Sequence, residues 1–245
     1  MTSSLVVETP ATLRDGVITT TMSRAEIVER VMERGELVIL KGVFPDEMVT
    51  AVKTVVAGWG RGIDAAETDD FAGNYHRRRV HVARIQQAPH VFHDYNFNDL
   101  GALPAELQAT LRQLFEPLRE LYNALTGYDV RFEIPATGPY VHPQLIHYPS
   151  GGGFFARHWH DLSPQKLGFI VFLSQRGRDF RNGGTCFEID GRVIDTEAQQ
   201  AIGDLLVWRY DHHHWVTQSD LRDKFDWTSD AGRWVATFAY FDPKG

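Results

Sequence analysis

The spacing of hydrophobic positions changes about halfway along the chain, from helical to strand-like. Residues 25–31 and 48–59 carry apolar side chains three or four positions apart, which is typical of amphipathic helices. Ser23 and Glu26 fit a capping box at the start of the first of these helices. The short apolar run at 37–40 between them predicts a strand.

The remainder of the N-terminal half is less regular. Residues 1–20 are rich in threonine and valine and predict a loose or strand-like lead-in. Residues 60–79, rich in glycine and aspartate, predict a loop, and residues 80–85 predict a further strand. A longer helix is expected over 104–127, and Pro117 is expected to kink it or divide it, because proline removes a backbone hydrogen bond inside a helix.

After this helix the chain consists of short β-rich runs at fairly regular intervals. Glycine, aspartate, asparagine and proline separate several of them, as turns require. This spacing predicts a sandwich or a double-sheet barrel, and not alternating βαβ units. The predicted strands are 129–134, 141–148, 154–160, 167–174, 184–189, 192–195, 204–209, 213–217 and 234–241.

Length and composition indicate one soluble domain over residues 1–245, which we expect to be cytoplasmic. The apolar share of 43% supports a sizeable core, and the formal charge of −7 argues against nucleic-acid or acidic-membrane binding. Neither a secretory signal nor a membrane-spanning apolar run is evident. The single cysteine, Cys186, lies in an apolar run and is expected to be a buried thiol.

The chemistry of the chain is concentrated in two histidine-rich stretches. On a strand, His158 and His160 would project from one face, and Trp159 would be buried on the other. Imidazole is a good ligand for transition metals, so this pair predicts half of a metal site. The second half is expected in the later run of three histidines, where His214 is nearest to a regular strand. Asp161 could add a carboxylate.

In order along the chain, these motifs resemble the iron(II)- and 2-oxoglutarate-dependent oxygenases. The resemblance covers roughly residues 140–241, and the segment 35–59 is similar to the N-terminal part of phytanoyl-CoA-hydroxylase-like members. It rests on Tyr148-Pro149-Ser150-Gly151, His158-Trp159-His160, Gly183-Gly184-Thr185, Gly203-Asp204-Leu205-Leu206-Val207-Trp208, His214-Trp215-Val216 and Gly232-Arg233-Trp234.

The resemblance implies a mainly β fold with flanking helices. Residues 136–245 would form a double-stranded β-helix, which is a cupin-like jelly roll, and residues 1–135 would supply N-terminal helices and strands. It also implies iron(II) and 2-oxoglutarate as cofactors. The reaction would be the dioxygen-dependent hydroxylation, desaturation or cyclisation of a small molecule.

One position departs from the family's pattern. The family's carboxylate ligand should follow the first histidine by two residues, but His160 stands there and Asp161 is displaced by one. Three imidazoles, from His158, His160 and His214, need no backbone irregularity and are the preferred set. Asp161 could replace His160 if a β-bulge reoriented it.

By the same resemblance, Arg233 would bind the distal carboxylate of 2-oxoglutarate; the alternative is an exposed turn arginine. Lys166 and Tyr148 are weaker candidates for binding this co-substrate. The polar segment 219–231 is expected to form a loop over the mouth of the site. The arginines at 77–79 form either a solvated surface or a clamp for a carboxylate. With the acidic overall charge and a second arginine cluster at 177–181, they suggest a small carboxylate-bearing substrate.

A different class of function also fits three histidines. The chain would then be a cupin-type metalloprotein that does not use 2-oxoglutarate, such as a thiol dioxygenase, an isomerase or a non-catalytic metal-binding module. The run from Gly152 to His160 partly fits the first cupin motif, although the glutamate expected soon afterwards is missing. The sequence leaves the substrate and the oligomeric state open.

Overall fold

The structure is a computed structural model that describes residues 4–63, 73–81, 88–135 and 137–242. Its helices are α1 (Arg24–Val28), which continues as a π-helical turn (Glu29–Glu33), α2 (Asp46–Arg61) and α3 (Ala105–Thr126). Its strands are β1 (Val6–Arg14), β2 (Val17–Thr20), β3 (Leu37–Lys41), β4 (Tyr75–His81), β5 (His90–Asn96), β6 (Tyr140–Pro149), β7 (Phe154–His158), β8 (Leu167–Phe172), β9 (Gly184–Ile189), β10 (Arg192–Asp195), β11 (Leu205–Arg209), β12 (His213–Thr217) and β13 (Gly232–Phe241).

The strands form one extended sheet that folds over itself as a double-stranded β-helix. The order along the sheet is β10-β9-β12-β7-β5-β6-β13-β8-β11-β3-β1-β2, and β4 pairs with β5. The longest pairing is antiparallel, between β6 and β13, and runs from Tyr140 opposite Phe241 to Pro149 opposite Gly232. The prediction of a mainly β jelly roll with flanking helices is therefore confirmed.

Alternate residues of the central strands enter two different apolar layers. Phe169 and Val171 of β8 face the outer layer, where they join residues of α2 and α3 such as Val52 and Leu111. Phe172 belongs to the inner layer, enclosed between the two halves of the sheet. Burying a side chain of this size contributes roughly 1.5–3 kcal/mol. The inner layer is where a site can form.

The N-terminal lead-in is a hairpin. In β1 and β2, Arg14 pairs with Val17 across a two-residue turn formed by Asp15 and Gly16. Both turn residues have positive φ, 50° and 77°, as the type I′ turn favoured in tight hairpins requires. β1 then pairs in parallel with β3, so the lead-in extends the main sheet.

Helix starts and ends follow local sequence signals in part. Ser23 caps α1, its Oγ accepting a hydrogen bond from the Glu26 N–H at 3.2 Å, but the Glu26 carboxylate bonds Arg30 and does not complete a capping box. α3 is one helix with Pro117 buried within it, so of the two expected effects of Pro117, a kink or a division, the division is wrong. The chain leaves α3 at Gly127, with φ of 74°.

Three predictions about loops and strands are wrong or hold only in part. The expected loop at 60–79 is wrong at both ends, because α2 continues to Arg61 and β4 begins at Tyr75. The strand predicted at 80–85 is the end of β4 as far as His81, and its remaining residues lie outside the described ones. Residues 129–134 form no strand beyond one isolated bridge, between Arg131 and Tyr140.

The sheet also draws on the N-terminal half more than predicted. β5, which the sequence did not reveal, lies between β6 and β7, and β3 pairs with β11. Cys186 is buried, as expected, and burial raises the pKa of its thiol to about 11. No described helix is both long enough and apolar enough to cross a membrane.

Candidate metal centre and its cavity

The inner layer encloses a cavity of about 160 Å³ between the two halves of the sheet. Most of its wall is aromatic or aliphatic. The described lining residues include three histidines and two arginines but no carboxylate. They are Arg79, Phe92, Gln144, Ile146, Tyr148, Phe155, His158, His160, Ile170, Thr185, Trp208, Tyr210, His214, Val216, Arg233, Val235, Thr237 and Phe238.

Three histidines converge on this cavity, two from neighbouring strands and one from the chain just after the first of these strands. His158 ends β7 and is paired across the sheet with His214 of β12. His160 follows two residues later, beyond the end of β7, and its ring centroid lies 5.0 Å from that of His158. One ring nitrogen of each of the three lies within 4.8 Å of the other two. That spacing suits three ligands around one metal ion.

The backbone fixes two of these rings in the orientation that a metal requires. Nδ1 of His158 lies 2.8 Å from the carbonyl oxygen of Ala156, and Nδ1 of His214 lies 2.9 Å from the carbonyl oxygen of His212. A carbonyl only accepts, so each Nδ1 carries the proton and donates it. Each Nε2 is then left with a free lone pair, as in metal-bound histidines whose other nitrogen is hydrogen-bonded.

Burial keeps the three imidazoles neutral. It lowers the pKa of His158, lowers the pKa of His160 to about 4, and places the pKa of His214 well below its usual value. Mutual repulsion between neighbouring rings adds to the effect for His160 and His214. Neutral imidazole is the form that binds a metal.

Asp161, the alternative ligand, is exposed, and its carboxylate is not part of the cluster. The backbone leaves the regular strand at His158, so the strict alternation expected through residue 160 does not apply. Trp159 is consequently 54% exposed, and its predicted burial on the opposite face is wrong. His160 nevertheless reaches the cavity, where its ring stacks on Tyr210 with centroids 4.4 Å apart.

Arg233 lies deep in the same cavity, and an exposed turn position for it is excluded. It is 1% exposed, on β13. Its Nε donates to Oε1 of Glu197 at 2.5 Å, and its Nη2 donates to Oγ1 of Thr185. Its Nη1 is buried and has no hydrogen-bond partner among the described residues. A buried donor without a partner is costly, so this atom is suited to an anionic ligand.

No sequence pattern indicated the residues that hold Arg233. Glu197 lies in a short 3₁₀ turn after β10, outside any periodic pattern, and Thr185 follows the two glycines already noted. Gly184 lets the carboxylate approach: it has φ of 145°, and a Cβ there would lie only 1.9 Å from Cγ of Glu197. The Gly-Gly-Thr motif therefore leaves room for Glu197 and supplies the hydroxyl of Thr185 that Arg233 bonds.

The other predicted co-substrate residues differ in position. Tyr148 lines the cavity with its ring centroid 5.6 Å from Cζ of Arg233, and burial raises the pKa of its hydroxyl. Lys166 does not line the cavity, because its ammonium group contacts the carbonyl oxygen of Thr126 and the ring of Tyr128. The structure therefore brings together Tyr148 and Arg233 but not Lys166.

The segment 219–231 does not cover the cavity mouth as expected, and none of its residues lines the cavity. It packs instead against the turn between β6 and β7 and against β5. Asp220 accepts a hydrogen bond from the hydroxyl of Ser150 at 3.1 Å, and the Trp227 ring lies edge-on to His93 with centroids 4.8 Å apart.

Comparison with solved structures shows which proteins share this fold. Several chains with this architecture are similar over nearly the whole length, at sequence identities that establish a shared fold alone. A prolyl-4-hydroxylase from Pseudomonas putida is 14% identical, with 89% of this chain and 98% of that chain covered and a TM-score of 0.57.

Two further structures give the same result. A prolyl hydroxylase from Trichoplax adhaerens, solved with a hypoxia-inducible-factor peptide, is 15% identical, with 90% of each chain covered and a TM-score of 0.58. The non-haem α-ketoglutarate-dependent epimerase SnoN of nogalamycin biosynthesis is 14% identical, with 88% of this chain and 83% of that chain covered and a TM-score of 0.54. Neither a protein-family model nor a curated protein matches the sequence.

Proposed function

We propose that this chain, as a single domain over residues 1–245, is a non-haem iron(II)- and 2-oxoglutarate-dependent oxygenase acting on a small molecule. One observation carries the proposal. Three histidine nitrogens lie within 4.8 Å of one another, and the same cavity holds a buried arginine with a free N–H. The fold supports it, because the similar structures include prolyl hydroxylases and an α-ketoglutarate-dependent epimerase.

The residues present fit both cofactors. His158, His160 and His214 would hold iron(II), with the tautomers of His158 and His214 set by their backbone carbonyl partners. Three protein ligands leave coordination positions open, as this class of chemistry requires. When bound, iron(II) and 2-oxoglutarate supply the oxidative decarboxylation that activates dioxygen for attack on a C–H bond and releases succinate and carbon dioxide.

Arg233 would bind the distal carboxylate of 2-oxoglutarate through Nη1. Nε bonds Glu197 and Nη2 bonds Thr185, so the guanidinium plane is held in place and the position of Nη1 is fixed. The ring of Tyr148 flanks the guanidinium and helps to keep water away from it. In such a shielded place a charge-assisted hydrogen bond contributes more than it would at the surface.

Aromatic rings form much of the remaining wall and would exclude bulk water during the reaction. Phe155 stacks on His158 with ring centroids 4.0 Å apart, and Trp208 lies edge-on to His214 at 5.9 Å. We propose hydroxylation as the default outcome, with desaturation or cyclisation of the same substrate as the other results of abstracting a hydrogen atom.

The set of three imidazoles also favours a second candidate. With Asp161 exposed and outside the cluster, none of the described residues adds an anionic ligand to the three imidazoles, as in cupin-type three-histidine metalloproteins that do not use 2-oxoglutarate. The buried, unpartnered N–H of Arg233 argues for the oxygenase, since this second function gives it no ligand.

Anaerobic titration with iron(II) and then 2-oxoglutarate separates the two functions. An oxygenase should show saturable binding of both, a visible charge-transfer band when 2-oxoglutarate joins the iron, and slow succinate formation once air is admitted. His158→Ala and His214→Ala should lose the iron, whereas Arg192→Ala, at an exposed arginine of β10, should behave as wild type. Iron binding without any 2-oxoglutarate binding would favour the cupin-type function.

A further inference from the structure

A second arginine, Arg79, lines the same cavity as Arg233. Arg77 and Arg79 alternate with Arg78 along β4, so the first two share one face of the strand. Arg78 is exposed on the other face, whereas Arg77 is buried and Arg79 is partly buried. The surface interpretation of this arginine run is therefore wrong for Arg77, and Arg79 is the one that reaches the cavity.

The neighbouring carboxylate is already satisfied. Oδ2 of Asp94, on β5, accepts a hydrogen bond from Nη2 of Arg77 at 2.9 Å. Oδ1 of Asp94 accepts from the side-chain amides of Gln144, at 2.8 Å, and of Asn96. Nη1 of Arg79 lies 3.7 Å from Asp94, too far for a hydrogen bond. Asp94 and its partners thus orient Arg77, and among the described residues Arg79 has only this longer ion pair with Asp94 and no hydrogen-bonded anion.

A count of the charges around the cavity also leaves Arg79 as the arginine that is not neutralised. Arg77 is balanced by Asp94 and Arg233 by Glu197, and no carboxylate belongs to the described residues that line the cavity. The imidazoles are neutral ligands, so iron(II) and doubly charged 2-oxoglutarate would cancel each other. Among the described residues the charge of Arg79 is then left over, which matches a substrate with one negative charge.

Apolar rings connect this charge to the histidines. Cζ of Arg79 lies 5.3 Å from the ring centroid of Phe92. The Phe92 ring in turn lies 5.5 Å from that of Phe155, which stacks on His158. A molecule held by Arg79 would therefore extend along two phenylalanines before its far end reached the metal centre.

We propose that Arg79 binds the anionic group of the substrate, and that the substrate is a small monoanion, such as a carboxylate, whose apolar body lies against Phe92 and Phe155. This inference rests on the proposed function, because that function supplies the reaction that the bound molecule would undergo. Arg79 determines specificity by fixing one end of the substrate, and Asp94 and Arg77 act as positioning residues behind it.

The test measures binding, so it does not depend on turnover. The protein is loaded with manganese(II) in place of iron(II) and saturated with N-oxalylglycine, the amide analogue of 2-oxoglutarate, which occupies Arg233. Calorimetry then gives dissociation constants for a panel of aryl and alkyl monocarboxylates, including 3-phenylpropionate, each beside its uncharged primary amide. The variants are Arg79→Gln, Arg79→Lys and, as matched control on the outer face of β4, Arg78→Gln.

Wild type and Arg78→Gln should bind at least one carboxylate about tenfold or more tightly than its amide, the effect of one charge-assisted contact. Arg79→Gln should lose that preference, and Arg79→Lys should retain part of it. No carboxylate preference in wild type, or an undiminished preference in Arg79→Gln, overturns the inference. Failure of N-oxalylglycine to bind would count against the proposed function instead, and the panel repeated without it still compares Arg79→Gln with Arg78→Gln.

Discussion

Arg233 and Glu197 form an ion pair that is almost wholly removed from solvent, with Nε and Oε1 2.5 Å apart and side-chain exposures of 1% and 0%. The same carboxylate oxygen accepts a hydrogen bond from the backbone N–H of Thr185 at 3.1 Å. The pair thus joins β13 to the start of β9, and it directs the remaining guanidinium N–H groups. The ion pair is therefore expected to stabilise the fold as well as to position Arg233.

Glu197→Ala should destabilise the fold by about 3–5 kcal/mol, because it leaves a buried guanidinium without its counter-charge. Urea unfolding followed by circular dichroism measures the change. Asp129→Asn is the control: it breaks the exposed pair with Arg131, and such surface pairs contribute no more than about 1 kcal/mol. Equal effects of the two substitutions would show that the buried pair does not stabilise the fold.

Arg233→Ala should weaken 2-oxoglutarate binding roughly 30–150-fold, corresponding to about 2–3 kcal/mol for a shielded charge-assisted contact. Iron(II) affinity should change little, since the arginine is not a ligand. Arg233→Lys, which keeps a charge opposite Glu197, should fall between wild type and Arg233→Ala. Anaerobic titrations give both constants. An unchanged 2-oxoglutarate affinity in Arg233→Ala would move the carboxylate site elsewhere in the cavity.

The identity of the third ligand is tested by adjacent substitutions. His160→Ala should lower iron(II) affinity by more than the roughly 10–100-fold typical of changes outside the ligand set. Asp161→Asn should be close to wild type, because Asp161 is exposed and outside the cluster. His160→Asp should keep part of the affinity by supplying an anionic ligand. Iron affinity and succinate formation are the measurements, and an inactive Asp161→Asn beside an active His160→Ala would reverse the assignment.

The sequence predicted the β-rich half from its local pattern, and it predicted the convergence of three histidines from their strand spacing and from the motif order of the resemblance. His158 and His214 lie at the strand positions where alternation places them. It could not predict that β7 ends at His158, since the turn that follows depends on packing against β12 and Tyr210. The exposure of Trp159 follows from that ending.

Contacts between residues far apart along the chain could not be predicted from the sequence either. Glu197 and Arg233 are hydrogen-bonded although 36 residues separate them along the chain, and Gln144 and Asp94 although 50 do. Neither carboxylate lies in a motif, and β5 carries buried polar residues that obscure its alternation. The sequence could therefore suggest that Arg77–Arg79 act as a clamp but not which arginine faces the cavity.

A second group of histidines lies outside the cavity, in the outer layer. His147 stacks on Trp234 with ring centroids 4.2 Å apart and faces His93 at 5.2 Å. Burial lowers the pKa of His147 to about 3 and of His93 to about 2, with repulsion from His147, His76 and Arg78 adding to the effect on His93. Both rings are therefore neutral in the folded protein across the mildly acidic range.

These shifts predict a loss of stability in acid. The unfolded chain protonates its histidines near pH 6.5 and folded His147 only near pH 3, so the unfolded state binds more protons between these values. The free energy of unfolding of the metal-free protein should therefore fall as pH drops below about 6.5. Each such histidine contributes up to about 1.4 kcal/mol per pH unit.

His147→Phe should reduce this dependence of unfolding free energy on pH, measured by urea unfolding at several pH values, by the equivalent of about one proton. Tyr95→Phe, in the same aromatic stack but not titrating in this range, should leave the slope unchanged. An undiminished slope in His147→Phe would show that protonation of His147 does not set the acid limit.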